Sequence, residues 1–174
     1  LRGMTGAEIG DLIGTDGKPL AGRGGEGDAE AMAVMPDGSI VVAFEGRHRI
    51  LVYPRAAPPF SKRPTRFPIP REIGRAPRNG GIEALAHVGG DYLMILAERV
   101  RGGAGAQAGW VGADGNWEPF AYVRPPGFRP TALSLMPKGD ILVLERHYTI
   151  NRGTSVRLAI LRRRGIAPRR RLTP

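Results

Sequence analysis

Cysteine is absent from the 174 residues, so a disulfide framework, a thiolate zinc site and a cysteine nucleophile are all excluded. Lysine is nearly absent too: Lys18, Lys62 and Lys138 are the only three. No stretch of about 18 apolar residues occurs, which excludes a membrane-spanning helix. No segment carries the apolar stripe of a long helix, and 26 glycines and 16 prolines break the chain into short pieces. The chain opens Leu1-Arg2-Gly3, with neither an initiator Met nor the apolar run of a signal peptide, and is expected to be part of a longer product.

What is present is arginine. The 26 Lys+Arg against 16 Asp+Glu give a net charge of +10, and with the Ala, Gly and Pro content this skew reads as coding bias. The densest basic stretch, Arg162-Arg163-Arg164 and Arg169-Arg170-Arg171, falls in residues 161–174, expected to be a solvated basic tail. Nucleic acid is disfavoured as a partner, because no RNP-type aromatic motif, helix-turn-helix pattern or zinc spacing accompanies the charge. The length suits one domain of roughly 100 to 200 residues, and 41% hydrophobic content is that of a folded chain.

Short apolar runs separated by turn signals predict strands throughout. Pro36-Asp37-Gly38 separates Ala31-Met32-Ala33-Val34-Met35 from Ile40-Val41-Val42-Ala43-Phe44, and Arg49-Ile50-Leu51-Val52-Tyr53 follows. Gly89-Gly90-Asp91 and Pro137-Lys138-Gly139 divide two later hairpins. The second strand of each hairpin ends in a glutamate, Glu45, Glu98 and Glu145, a repeat of about 50 residues that is the signature of propeller blades. The expected fold is therefore all-β: a propeller fragment of about three consecutive four-stranded antiparallel blades over 28–160. Residues 1–27 are expected to supply outer strands of a preceding, incomplete blade. Such an arc exposes edges open to missing blades or to self-association.

A hairpin centred between Asp37 and Gly38 sets Glu30 opposite Glu45, one about Gly90-Asp91 sets Glu83 opposite Glu98, and the third sets Thr131 opposite Glu145. Like charges directly across a strand pair are destabilising. A hard cation would relieve them, and Asp28 offers one more oxygen at the same edge, a donor set suited to calcium or magnesium. The alternatives are neutralisation by Arg47, Arg49, Arg78, Arg99 and Arg146, or plain solvation. His48 and His147, each just after a strand-end glutamate, are candidates for anion binding or proton transfer. Gly22-Arg23-Gly24-Gly25-Glu26-Gly27 matches a dinucleotide-binding pattern, but a strand rather than a helix is expected to follow it. No Gly-x-Ser-x-Gly elbow surrounds any serine.

The segments Asp28-Ala29-Glu30-Ala31-Met32-Ala33-Val34, Phe44-Glu45-Gly46-Arg47-His48-Arg49-Ile50, Asn79-Gly80-Gly81-Ile82-Glu83-Ala84-Leu85-Ala86 and Arg129-Pro130-Thr131, with Gly139-Asp140-Ile141-Leu142-Val143-Leu144-Glu145-Arg146, resemble in order and spacing the phytase-like propeller proteins described as having esterase-like activity. Ala31 departs from the glycine usual there. The resemblance spans about residues 5–160 and implies a bacterial protein of about twice this length, periplasmic or secreted, that hydrolyses a phosphate ester or related ester with calcium at a carboxylate-lined channel. It implies Asp28, Glu30, Glu45, Glu83 and Glu98 as metal ligands. On that reading Glu30, Glu83 and His48 are the catalytic candidates, and Arg47, Arg78 and Arg146 hold a small anionic substrate. The competing reading is a non-catalytic propeller that binds a ligand or a protein.

Overall fold

The computed structural model describes residues 11–20, 26–162 and 171–172. Three antiparallel sheets follow one another along the chain. The first holds β1 (Ala29–Val34), β2 (Ile40–Phe44), β3 (Arg49–Tyr53) and β4 (Thr65–Phe67) in that order. A single helical turn, α1 (Arg71–Gly74), leads to the second, formed by β5 (Ile82–Gly89), β6 (Tyr92–Arg101), β7 (Ala106–Ala113) and β8 (Asn116–Val123). The third comprises β9 (Arg129–Leu135), β10 (Ile141–Thr149) and β11 (Gly153–Leu161). The inner strands β1, β5 and β9 pack side by side, so the sheets fan out from a shared axis as propeller blades do.

Two details differ from the expected blades. The third sheet has three strands rather than four among the described residues, and β12 (Arg171–Leu172) joins the second sheet instead, parallel to β8. The basic run at residues 163–170 and most of the strands expected over 1–27 lie outside the described residues. Of the latter, residues 11–20 form a turn closed by an Ile13–Pro19 bridge.

Side-chain alternation explains why β6 reads as an unbroken apolar run. Leu93, Ile95 and Ala97 face the first sheet and share a core with its Val41, Ala43 and Ile50, with Ile82 and Trp110 of their own sheet, and with the α1 residue Ile73. Met94 and Leu96 face the third, against Tyr122, Ile141, Val143 and Leu161. A strand buried on both faces has no position for a polar residue. The outward face of the first sheet, Val42, Phe44, Leu51 and Tyr53, is covered by Leu12, Ile13, Leu20 and Phe60.

The turns set the register. Pro36-Asp37-Gly38 is a three-residue loop: Gly38 N–H donates to the Met35 carbonyl at 2.9 Å, Met35 N–H to Ser39 O at 2.9 Å, and Gly38 sits at φ 82°. The Asp37 carboxylate accepts from the Ser39 N–H and hydroxyl. Pro137-Lys138-Gly139 repeats this closure, with Gly139 at φ 85°. A positive φ at the third loop residue is what glycine supplies without a Cβ clash.

Candidate functional site

The expected carboxylate pairs do not form, because each inner strand bulges beside its acidic residue. In the first sheet Ala29 pairs with Phe44 and Ala31 with Ala43, which leaves Glu30 as the extra residue. Glu45 lies across from Asp28 instead, its N–H donating to the Asp28 carbonyl at 2.8 Å. In the second sheet Ile82 pairs with Ala97 and Ala84 with Leu96, so Glu83 is extra, and Glu98 N–H donates to Gly81 O at 3.0 Å. In the third, Glu145 faces Pro130 and Thr131 takes the bulge. A bulge re-aims a side chain out of the regular alternation. Here it lets the acids converge on a common point rather than stand opposite one another.

The result is a cluster between the first two sheets. One oxygen each from Asp28, Glu30 and Glu45 lie within 4.8 Å of one another, and the same holds for Glu45, Glu83 and Glu98. Glu45 belongs to both groups and is buried, with 7% of its surface exposed. Its Oε1 accepts the Gly81 N–H at 3.0 Å, and among the described residues no arginine pairs with it. Gly81 must lack a side chain for this approach, since a Cβ there would run into the His48 ring.

Electrostatics report the crowding. Burial pushes the Glu83 carboxyl up to about 7, and the charges of Glu98, Glu30 and Glu45 add to this while Arg146 opposes it. Glu30 is raised as well, first by burial, then by the charges of Glu45 and Asp28, a hydrogen bond with Asp28, and the charge of Glu98. Desolvation and like charge both favour the protonated form. An all-oxygen donor set of this kind fits calcium, which takes six to eight such ligands.

Arginine neutralisation, the alternative to a cation, is realised on one side only. Glu98 pairs with Arg129 at 2.6 Å and Arg99 at 3.3 Å. In the third sheet Glu145 is fully buried: Tyr122 Oη donates to its Oε1 at 3.0 Å, and its Oε2 faces Arg157 in an ion pair. Sequence reasoning missed Arg129, Tyr122 and Arg157. The repeat carried a signal for the first, since Arg129 lies two residues before Thr131 as Asp28 lies two before Glu30.

The remaining candidates are dispersed. Arg146 acts on Glu83. Arg47 instead pairs with Glu26, and Arg78 has an exposed side chain while its carbonyl accepts the Gly46 N–H at 3.1 Å. His48 Nε2 lies 2.9 Å from the Pro77 carbonyl, and its Nδ1 is buried without a hydrogen-bond partner. His147 packs against Phe128, ring centroids 5.2 Å apart.

A family model described as "Phytase-like: Esterase-like activity of phytase" matches residues 1–172. No curated protein matches the chain. Among solved structures it is similar to a protein of unknown function from Bacteroides caccae, with 13% identity and a TM-score of 0.43 over 82% of this chain. The chain spans about half the length of that protein, 48% of it.

Proposed function

The chain belongs to the phytase-like family, and from that premise we propose that it contributes the metal-binding part of a hydrolase acting on a phosphate ester or related ester. The observation that carries the reading is Glu45, a buried carboxylate shared by two carboxylate groups and paired with no described arginine. A buried, unpaired carboxylate is costly unless a cation or hydrogen bonds compensate it. The Gly81 N–H is one such bond. Asp28, Glu30, Glu45, Glu83 and Glu98 are the residues that would hold calcium.

Bound there, calcium supplies positive charge against phosphoryl oxygens and acidifies water. Glu83, whose carboxyl lies near 7 in the chain without a cation, is our candidate to take or return a proton at a carboxylate oxygen when it is not itself held on the cation. Glu30 is its counterpart on the first sheet. Arg146, already within electrostatic reach of Glu83, is the first choice to hold the substrate anion. Arg78 is a second. The pairing of Arg47 with Glu26 and of His48 with Pro77 moves both behind these. A periplasmic or secreted location of the whole protein, where calcium is plentiful, belongs to the same proposal.

The test combines melting against added calcium at fixed ionic strength with hydrolysis of p-nitrophenyl phosphate and an inositol phosphate. Ligand at a hundredfold excess over its dissociation constant stabilises by about 2.7 kcal/mol. Glu45→Gln should abolish the shift and the hydrolysis, while Glu118→Gln, exposed on β8, should leave both intact. Absence of any calcium-dependent shift in the parent chain would overturn the metal site. The second reading, a non-catalytic binding propeller, is favoured by the two arginines already on Glu98. It predicts binding of a ligand that needs no calcium, and no hydrolysis.

A further inference from the structure

On the face of the first sheet turned away from the carboxylates lies a cavity of about 520 Å³, whose lining includes Arg47, Arg49, Arg66, Glu26, Asp16 and Leu51. Strand pairing fixes which face this is. Phe44 pairs with Arg49 and Leu51 with Arg66, and residues directly opposite share a side of the sheet. Phe44 and Leu51 belong to the outward cluster, whereas Ala43 packs toward the second sheet and Glu45 reaches the carboxylates there.

Two of the three arginines have partners in the structure. Arg49 rests over the Phe44 ring, 4.3 Å from its centroid, and donates to the carbonyls of Arg47 and Glu26. Among the described residues those two bonds leave three of its five N–H donors for a ligand. Arg47 pairs with Glu26, while Arg66 pairs with no carboxylate among the described residues. Asp16, the other acid in the lining, has its Oδ1 on the Lys18 N–H at 3.0 Å. Three guanidinium groups thus face two carboxylates in one cavity. Burial lowers the pKa of Arg49, the charges of Glu26 and Tyr53 oppose this, and those of Arg66 and Arg47 add to it.

The geometry points to a binding site for a small phosphoryl-bearing anion in this cavity, with Arg49 and Arg66 as its principal contacts. A tetrahedral dianion presents oxygens in several directions and so suits converging forks better than a planar carboxylate, and arginine donates two parallel hydrogen bonds to such a group. The cavity is within the size range of small-molecule sites. The site does not depend on the hydrolase reading, because Arg49 and Arg66 lie on the outward face of the sheet, although His48 in the same lining reaches Gly81 beside Glu45.

Pyrophosphate binding to the chelator-treated chain, measured by calorimetry at fixed ionic strength, tests the site. Losing one charge-assisted contact should weaken binding by about tenfold or more. Arg66→Ala is the clean variant because Arg66 is exposed, whereas Arg49→Ala also removes the stack on Phe44. Both should weaken binding, and Arg152→Ala, exposed in a distant turn, should not. Absence of pyrophosphate binding in the parent chain would overturn the assignment. So would binding that survives Arg66→Ala but is lost in Arg146→Ala, because the anion would then sit on the carboxylate side.

Discussion

Glu83 carries a pH signature of its own. A carboxyl whose folded pKa lies above its unfolded value binds its proton more tightly in the folded chain. Its contribution to stability is therefore full below about 4.5 and is lost as pH rises through about 7. In excess chelator the melting temperature of the parent chain, relative to Glu83→Gln, should fall across that interval. Calcium should reverse the difference at pH 7, because a cation prefers the ionised form. A Glu83→Gln profile that tracks the parent at every pH would show that the acids do not interact. The acids themselves were legible in the sequence because they recur at a fixed place in each repeat. Their partners were not: Arg157 reaches Glu145 from the neighbouring strand, and Gly81 contributes only a backbone N–H, which has no residue signature.

At the scale of elements, the strands announced themselves through apolar runs and turn dipeptides, and the first three strands begin and end within two residues of those runs. Register was another matter. The hairpin at Pro36-Asp37-Gly38 closes over three residues rather than two, which moves each pairing by one. The bulge at Glu30 moves it again. The third hairpin kept the expected pairing as far as Ala132 with Leu144, until Thr131 bulged. A bulge is decided by how an inner strand must bend to meet its neighbours, and short-range composition does not record that. The loop chemistry is open to test at Gly38, whose φ of 82° and approach to Arg55 Cδ, 2.9 Å from an ideal Cβ, both oppose a side chain. Gly38→Ala should cost about 1 kcal/mol, read from denaturant unfolding. Gly74→Ala is the contrast, since Gly74 has open space around its Cβ position.

For the molecule as a whole, the all-β arc expected from the repeat is the observed architecture, with helix confined to one turn among the described residues. Its third sheet leaves Tyr148, Val156 and Leu158 more than 60% exposed, all on strands β10 and β11. Exposed apolar groups gathered on one sheet favour association. Sedimentation velocity should show concentration-dependent self-association of the isolated chain, and Val156→Lys with Leu158→Glu should reduce it without lowering the melting temperature. A parent chain that stays monomeric at high concentration would contradict this.

Strand β6 spends one set of its side chains on each of two cores, so neither core can open while the strand stays in place. The first and third sheets are thereby tied into one cooperative unit through five consecutive residues, Leu93 to Ala97, each at 0% exposure. Local openings cannot free these amides. Their hydrogen exchange should proceed only by global unfolding, slowest in the chain and equally slowed for Met94 and Ile95, whose side chains point in opposite directions. A destabilising change on either flank, such as Ile50→Ala or Val143→Ala, should then accelerate exchange along the whole of this segment by the same factor.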